Sequence, residues 1–436
     1  MPSPRDPTCD EATSLLQESD VSAQSNVVQE SVYPRWIITV VLLCGGAVLF
    51  DLSNNLGEVA EVALLEDMVC RDYYAKHVVN AVTSAAERCK IEPIQTEIAL
   101  LNGWRETFET IPGEFILEKR GVLRFSSQDS ETEFWNSHTS GGAACARTTV
   151  FSQMTAVILA TELIAPPVGA ALMKKNPWAP FLASSVIAIF SVLWGVLFFP
   201  AIYNQAKPAS TSGHEQPPVR AWYASEGIQE LYEQLSQNKN AALVVVSFFV
   251  TLVGTHAFAL LLQYISKRFH TSYAEASYVL PLRASFNLIS LFILLPAVTG
   301  YLDRKHGWEM GIRDKVLTQA NALLMLLGCL FIFVAPNLIL LSLGVVVFGL
   351  GSSFSVTART LVTSLVEPTS LGTIYTLLSV MSSIGSLVAG PLLAGVYHLG
   401  MVLGDTWLGL PFLFAAALYG LALIAISAVG ATARTA

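Results

Sequence analysis

The chain has 436 residues, of which 53% are hydrophobic and only 13% charged, about half the charged share of an ordinary soluble protein. That excludes a soluble globular domain and points to a polytopic membrane protein with the lipid bilayer as its first partner. A net charge of −8 without a basic stripe excludes nucleic acid as a partner, and six cysteines at irregular positions exclude a disulfide framework or a zinc site.

Residues 1–34 form an acidic, polar tail with too few apolar side chains to offset the entropy of ordering, so a disordered cytoplasmic segment is expected. Within it, Glu11 to Leu16 has the form of an acidic dileucine sorting signal, or is simply solvated tail. No cleavable signal peptide is expected, because the first apolar run, Trp36–Phe50, follows more than thirty polar residues and reads as the first membrane helix. Asp51 follows, and Leu52–Tyr74 carries Glu58, Glu61, Glu66 and Asp67, too many carboxylates for lipid contact; this segment must face protein, water or headgroups. Arg71–Asn102 reads as a polar loop. Cys70 and Cys89 lie in it and could pair if it is extracellular.

No twenty-residue window from Ile91 to Ala144 suits lipid, since Arg105, Glu106, Glu109, Glu114, Glu118, Lys119 and Arg120 interrupt it. Phe125–Gly142 reads as exposed loop. Apolar character returns at Val150–Met173, with Glu162 in its middle and Pro166-Pro167 after it, and at Trp178–Tyr203. Residues 206–240 form a central linker, whose Ile228, Leu231 and Leu235 would share one face of an amphipathic surface helix. Six apolar runs of near-spanning length then follow: Ala241–Ile265, Ala276–Val298, Leu317–Val334, Leu338–Thr357, Ile374–His398 and Leu408–Val429. Well-formed spans therefore number three before the linker and six after it.

Three stretches carry a family resemblance: "RTTVFSQMTAVILATELIAPPVGAALMKKNPW" (Arg147–Trp178), "LLEDMVCRDYY" (Leu64–Tyr74) and "CKIEPIQTEIALLNGW" (Cys89–Trp104). They resemble fungal transporters of the major facilitator superfamily, the first matching their fifth helix. The resemblance implies an all-α fold of two six-helix bundles around a cavity that opens alternately to each side. It divides the chain into the tail 1–34, an incomplete N-terminal bundle 35–205 (helices 1, 5 and 6, with a polar insert at about 114–146), a cytoplasmic linker 206–240 and a complete C-terminal bundle 241–430. Most of helices 2–4 and the Asp-Arg-x-Gly-Arg loop would be missing, through a deletion or a shifted reading frame.

The implied function is secondary transport of a small organic molecule, proton-coupled and outward, at the plasma membrane or the vacuolar membrane. The alternative is a truncated membrane remnant or sensor that does not transport. No cofactor or metal is implied, and no enzyme, since paired intramembrane aspartates, a Ser/His arrangement and a phosphate-cradling glycine loop are all missing from the sequence. Ala165 to Ala170 resembles the antiporter motif Gly-Pro-x-x-Gly-Gly through Pro166, Pro167 and Gly169, and reads either as antiport machinery or as a packing kink. Glu162 and His256 are candidate proton carriers or else plain interhelical hydrogen bonders. Arg283 could hold an anionic group or snorkel to headgroups, with Phe258 and Phe286 as aromatic contacts for the solute. Asp303 and Arg304 resemble the second-half copy of the family's gating loop.

Overall fold

The computed structural model describes residues 35–77, 88–120, 144–206, 239–306, 310–366 and 371–430. The acidic tail, the dileucine pattern, the amphipathic linker helix and most of the polar insert lie outside them. Among the described residues the chain is built of helices, without strands. Four precede residue 207: α1 (Arg35–Lys76), α2 (Glu92–Arg120), α3 (Ala144–Met173) and α4 (Trp178–Ala206). Six follow: α5 (Lys239–Phe269), α6 (Tyr273–Lys305), α7 (Met310–Val334), α8 (Leu338–Leu365), α9 (Leu371–Leu403) and α10 (Leu410–Ala428). All of these last six, and Trp178–Phe198 of α4, contain stretches long and apolar enough to cross a membrane, and α3 adds a shorter apolar stretch, Val157–Met173.

Helix α1 has 42 residues, about 63 Å at 1.5 Å per residue, twice the hydrocarbon thickness. The acidic segment after Asp51 is therefore helix, turned against the other helices: Leu56, Val59, Ala60 and Val62 are buried, while Asp67 is exposed and pairs with Arg71 one turn on, at 2.9 Å. Helices α3 and α4 flank α1, with Ser53 Oγ donating to the Ser184 carbonyl at 3.1 Å and Trp194 Nε1 to the Leu42 carbonyl at 3.0 Å.

Helix α2 departs from the sequence expectation of a polar loop to Asn102 followed by no acceptable span. It is helical from Glu92 to Arg120. Leu100, Leu101, Trp104 and Phe108 are exposed along one side, while Ile94 and Ile98 are buried together with Gln95, Asn102 and Thr107. Two of the charges that interrupt the hydropathy are turned inward, Arg105 to Glu61 of α1 and Glu106 to His256 of α5. Average hydropathy counts such charges as a cost, whereas what lipid rejects is only a charge that faces it.

The two groups of helices meet along α2 with α9 and along α3 with α6. At Gly103 and Gly390 the backbones of α2 and α9 touch: a Cβ on Gly103 would lie 2.6 Å from the Gly390 carbonyl oxygen. Thr107 Oγ1 donates to the Leu387 carbonyl at 3.0 Å across the same seam. Small residues permit such an approach where no water drives association. In the second group a continuous core runs through α5, α8, α9 and α10, in which Phe258, Phe348, Phe412 and Tyr419 pack ring against ring.

Candidate functional site

A cavity of about 370 Å³ lies between the two groups of helices. Asn55 and Glu58 reach it from α1, and Glu162 and Pro166 from α3. Leu252, Thr255, His256 and Phe258 come from α5, and Leu280 and Arg283 from α6. The α5 wall is irregular, for the helix tightens into a 3₁₀ stretch over His256–Leu260. Departures from regular helix are tolerated at membrane depth where the backbone lines a cavity or is buried in protein.

Charge is distributed unevenly around this cavity. Arg283 Nη2 stands 3.8 Å from Glu162 Oε2, a long ion pair, and its guanidinium lies 5.6 Å from the centre of the Phe258 ring. His256 is held at both nitrogens, Nδ1 at 3.2 Å from Glu106 Oε2 and Nε2 at 3.2 Å from Ser386 Oγ. Glu58 is half-buried and, among the described residues, makes no hydrogen bond or ion pair. The charges it senses are Arg283 and Arg105, which attract it, and Glu162 and Glu106, which repel it.

A second polar cluster lies at the end of the molecule where α1 meets α2. Glu66 Oε2 accepts from Lys90 Nζ at 2.8 Å, from Gln95 Nε2 at 2.8 Å and from the Tyr273 hydroxyl. Lys90 also donates to Ser266 Oγ at 2.7 Å and lies 4.3 Å above the Tyr273 ring. The side chains of Lys90 and Glu66 are only 14% and 11% exposed, so burial pushes the Lys90 ammonium down from its ordinary value while Glu66 pulls it up. Ser266 and Tyr273 flank the α5–α6 turn, which is set by a left-handed His270 (φ 53°) and a capping box between Ser272 and Glu275. Cys70 and Cys89 are joined by a disulfide that ties the end of α1 to the residue before Lys90. The cluster thus couples the first group of helices to the second.

Of the residues singled out in the sequence, Glu162, His256, Arg283, Phe258 and Pro166 come together at the cavity. Phe286 does not line it; its Cβ faces Gly349 of α8, 3.1 Å from where a Cβ on that glycine would sit. Gly169 presses α3 onto α1, since a Cβ there would lie 3.0 Å from the Leu56 carbonyl oxygen, while Pro167 is half-buried beside Pro166. Asp303 accepts two bonds from Arg313 Nη1, at 3.0 and 2.8 Å, so its described partner belongs to α7 of the same group of helices. Arg304 is exposed and lines a second cavity of about 540 Å³, walled by α6 residues alone. Glu58, Glu106, Lys90 and Gln95 were not among the sequence candidates. For the three charged ones the sequence signal is a density of charge that lipid would reject; uncharged Gln95 has none.

No model of a protein family matches the chain. The chain is similar to the "Efflux pump ustT" of Aspergillus flavus, 32% identical over 91% of this chain and 88% of that protein. It is also similar to the "MFS efflux pump atnC" of Emericella nidulans, 25% identical over 88% of this chain and 86% of that protein. Its fold is similar to that of a bacterial homologue of the iron transporter ferroportin in an inward-facing state, with a TM-score of 0.50 at 14% identity, covering 91% of this chain and 99% of that one.

Proposed function

The chain belongs to the major facilitator superfamily, a class of multi-pass membrane transporters and not of enzymes, and on that premise we propose that it exports a small organic molecule in exchange for protons. The observation that carries this reading is the meeting of Glu162, Arg283 and His256, drawn from both groups of helices, around one cavity, with Glu106 bonded to His256. The names of the two fungal relatives support the outward direction.

The chemistry follows from the long Glu162–Arg283 contact. At 3.8 Å the pair is loose enough for protonation of Glu162 to release Arg283, which lets α3 and α6 move apart without leaving a carboxylate stranded in low dielectric. His256, bonded to Glu106, offers a second ionisable group on the cavity wall. Release on the far side requires the Glu66–Lys90 cluster to part, since it joins the two groups of helices, and in this reading that end is the closed one. The plasma membrane is the favoured location, and the vacuolar membrane the other.

The test is accumulation of cationic, neutral and anionic fluorescent dyes in yeast expressing the full chain. At least one dye should be excluded, with exclusion lost in Glu162→Gln and on adding a protonophore. Exclusion insensitive to the protonophore would remove proton coupling. No exclusion of any dye, from correctly inserted protein, would support a non-transporting membrane remnant.

A further inference from the structure

We propose that Glu58 is the anionic recognition point of the cavity, and that the solute it takes is a lipophilic organic monocation such as a protonated amine. The inference rests on the reading of this cavity as the solute site and deepens it.

Consider which charges on the wall already have partners. Arg283 is opposed by Glu162, and His256 is bonded by Glu106 and Ser386. Arg105, just behind, is paired with Glu61. Glu58 remains, with no hydrogen bond or ion pair among the described residues. A carboxylate beside apolar walls and away from bulk water is costly unless a positive group meets it. Arg283 and Arg105 attract it but make no bond to it among the described residues, and a cation in the cavity would supply that partner.

The remaining wall defines the body of that solute. Pro166, Leu252, Phe258 and Leu280 present apolar surface, and Phe258 offers an aromatic ring that already accommodates one cation, Arg283. A volume of about 370 Å³ is at the small end for ligand pockets, so it admits one compact molecule. An anion would meet two carboxylates, Glu58 and Glu162, for one arginine. A neutral apolar solute would leave Glu58 without a partner.

The experiment measures equilibrium binding to the full chain in lipid nanodiscs, without a proton gradient, so that failure of proton coupling cannot be mistaken for failure of this inference. The probes are tetraphenylphosphonium and tetraphenylborate, which share a shape and differ in charge. Tetraphenylphosphonium should bind and tetraphenylborate should not. Glu58→Gln should weaken the cation by about tenfold, the loss of one charge–charge attraction in a partly desolvated site, with Glu58→Asp retaining part of it. Leu252→Trp, which fills the cavity, should remove binding altogether. Unchanged binding in Glu58→Gln with binding lost in Leu252→Trp would overturn the role of Glu58 and leave the cavity as the solute site. Unchanged binding in both would overturn the inference and the cavity reading together. Preference for tetraphenylborate, or no binding of the cation, would overturn the charge class. Thermal melting equal to the parent protein establishes that each variant is folded.

Discussion

Glu58 and Glu66 lie on the same helix, about 12 Å apart at 1.5 Å per residue, in opposite electrostatic circumstances. Glu66 takes three donors on one oxygen, and its ammonium partner is shared with Ser266 across the helix groups. Glu58 takes none among the described residues and borders a cavity. Both are carboxylates of α1, yet one is bonded into a cluster that joins the two groups of helices and the other borders open space. The difference separates structural polarity from binding polarity: a satisfied buried charge fixes a conformation, and an unsatisfied one beside space awaits a ligand.

The comparison can be broken first at its structural end. Lys90→Met removes one member of a buried pair and strands Glu66, which should cost about 3–5 kcal/mol. A lower melting temperature in detergent would show it, and Lys90→Met with Glu66→Gln should recover much of the loss because no charge is then stranded. Next in size is the tie beneath the cluster. Replacing Cys70 and Cys89 by serine opens a disulfide with a sequence separation of 19 residues, for which loop entropy suggests about 3 kcal/mol. The melting temperature should fall, and thiol reagents should label an introduced cysteine in the α5–α6 turn faster.

The seam between the groups comes third. Gly103→Val places methyl groups against the Gly390 carbonyl, and overpacking of this kind costs about 1–3 kcal/mol. The prediction is a shift away from the closed end, read as faster labelling at the same turn. The smallest stability effect is expected at the other glutamate. Glu58→Gln breaks no bond, so its melting temperature should stay within about 0.5 kcal/mol of the parent protein's while cation binding falls. A large loss of stability there would mean that Glu58 is structural after all and would erase the contrast with Glu66.

Much of the fold was legible before any coordinates. Six apolar runs after the linker predict six spans because each length matches the hydrocarbon thickness, a property of local sequence alone. Glu162, His256 and Arg283 stood out for a similarly local reason, since an ionisable residue in an apolar run is conspicuous. Helix α2 was illegible by the same logic. Its charges are interleaved with its lipid-facing Leu100, Leu101, Trp104 and Phe108, so any window average mixes two faces. Only the positions of Glu61 and His256 on other helices show that Arg105 and Glu106 point inward. Phe286 shows the converse, an aromatic in the right run whose rotation about its helix turns it to Gly349.

The sequence by itself determined that this is a multi-pass, helical membrane protein, because hydropathy and helix length are set residue by residue and lipid tolerates few alternatives. Through its kinship it also determined the class, a membrane transporter. Tertiary structure alone decided which charges are partners and which are vacant. Pairings such as Lys90 with Ser266, 176 positions apart, and His256 with Glu106, 150 apart, depend on how helices distant in the chain rotate and dock. Nothing in the local sequence around Glu58 distinguishes it from Glu66; the partners that satisfy one and bypass the other are Lys90 just before α2, Gln95 of α2 and Tyr273 of α6.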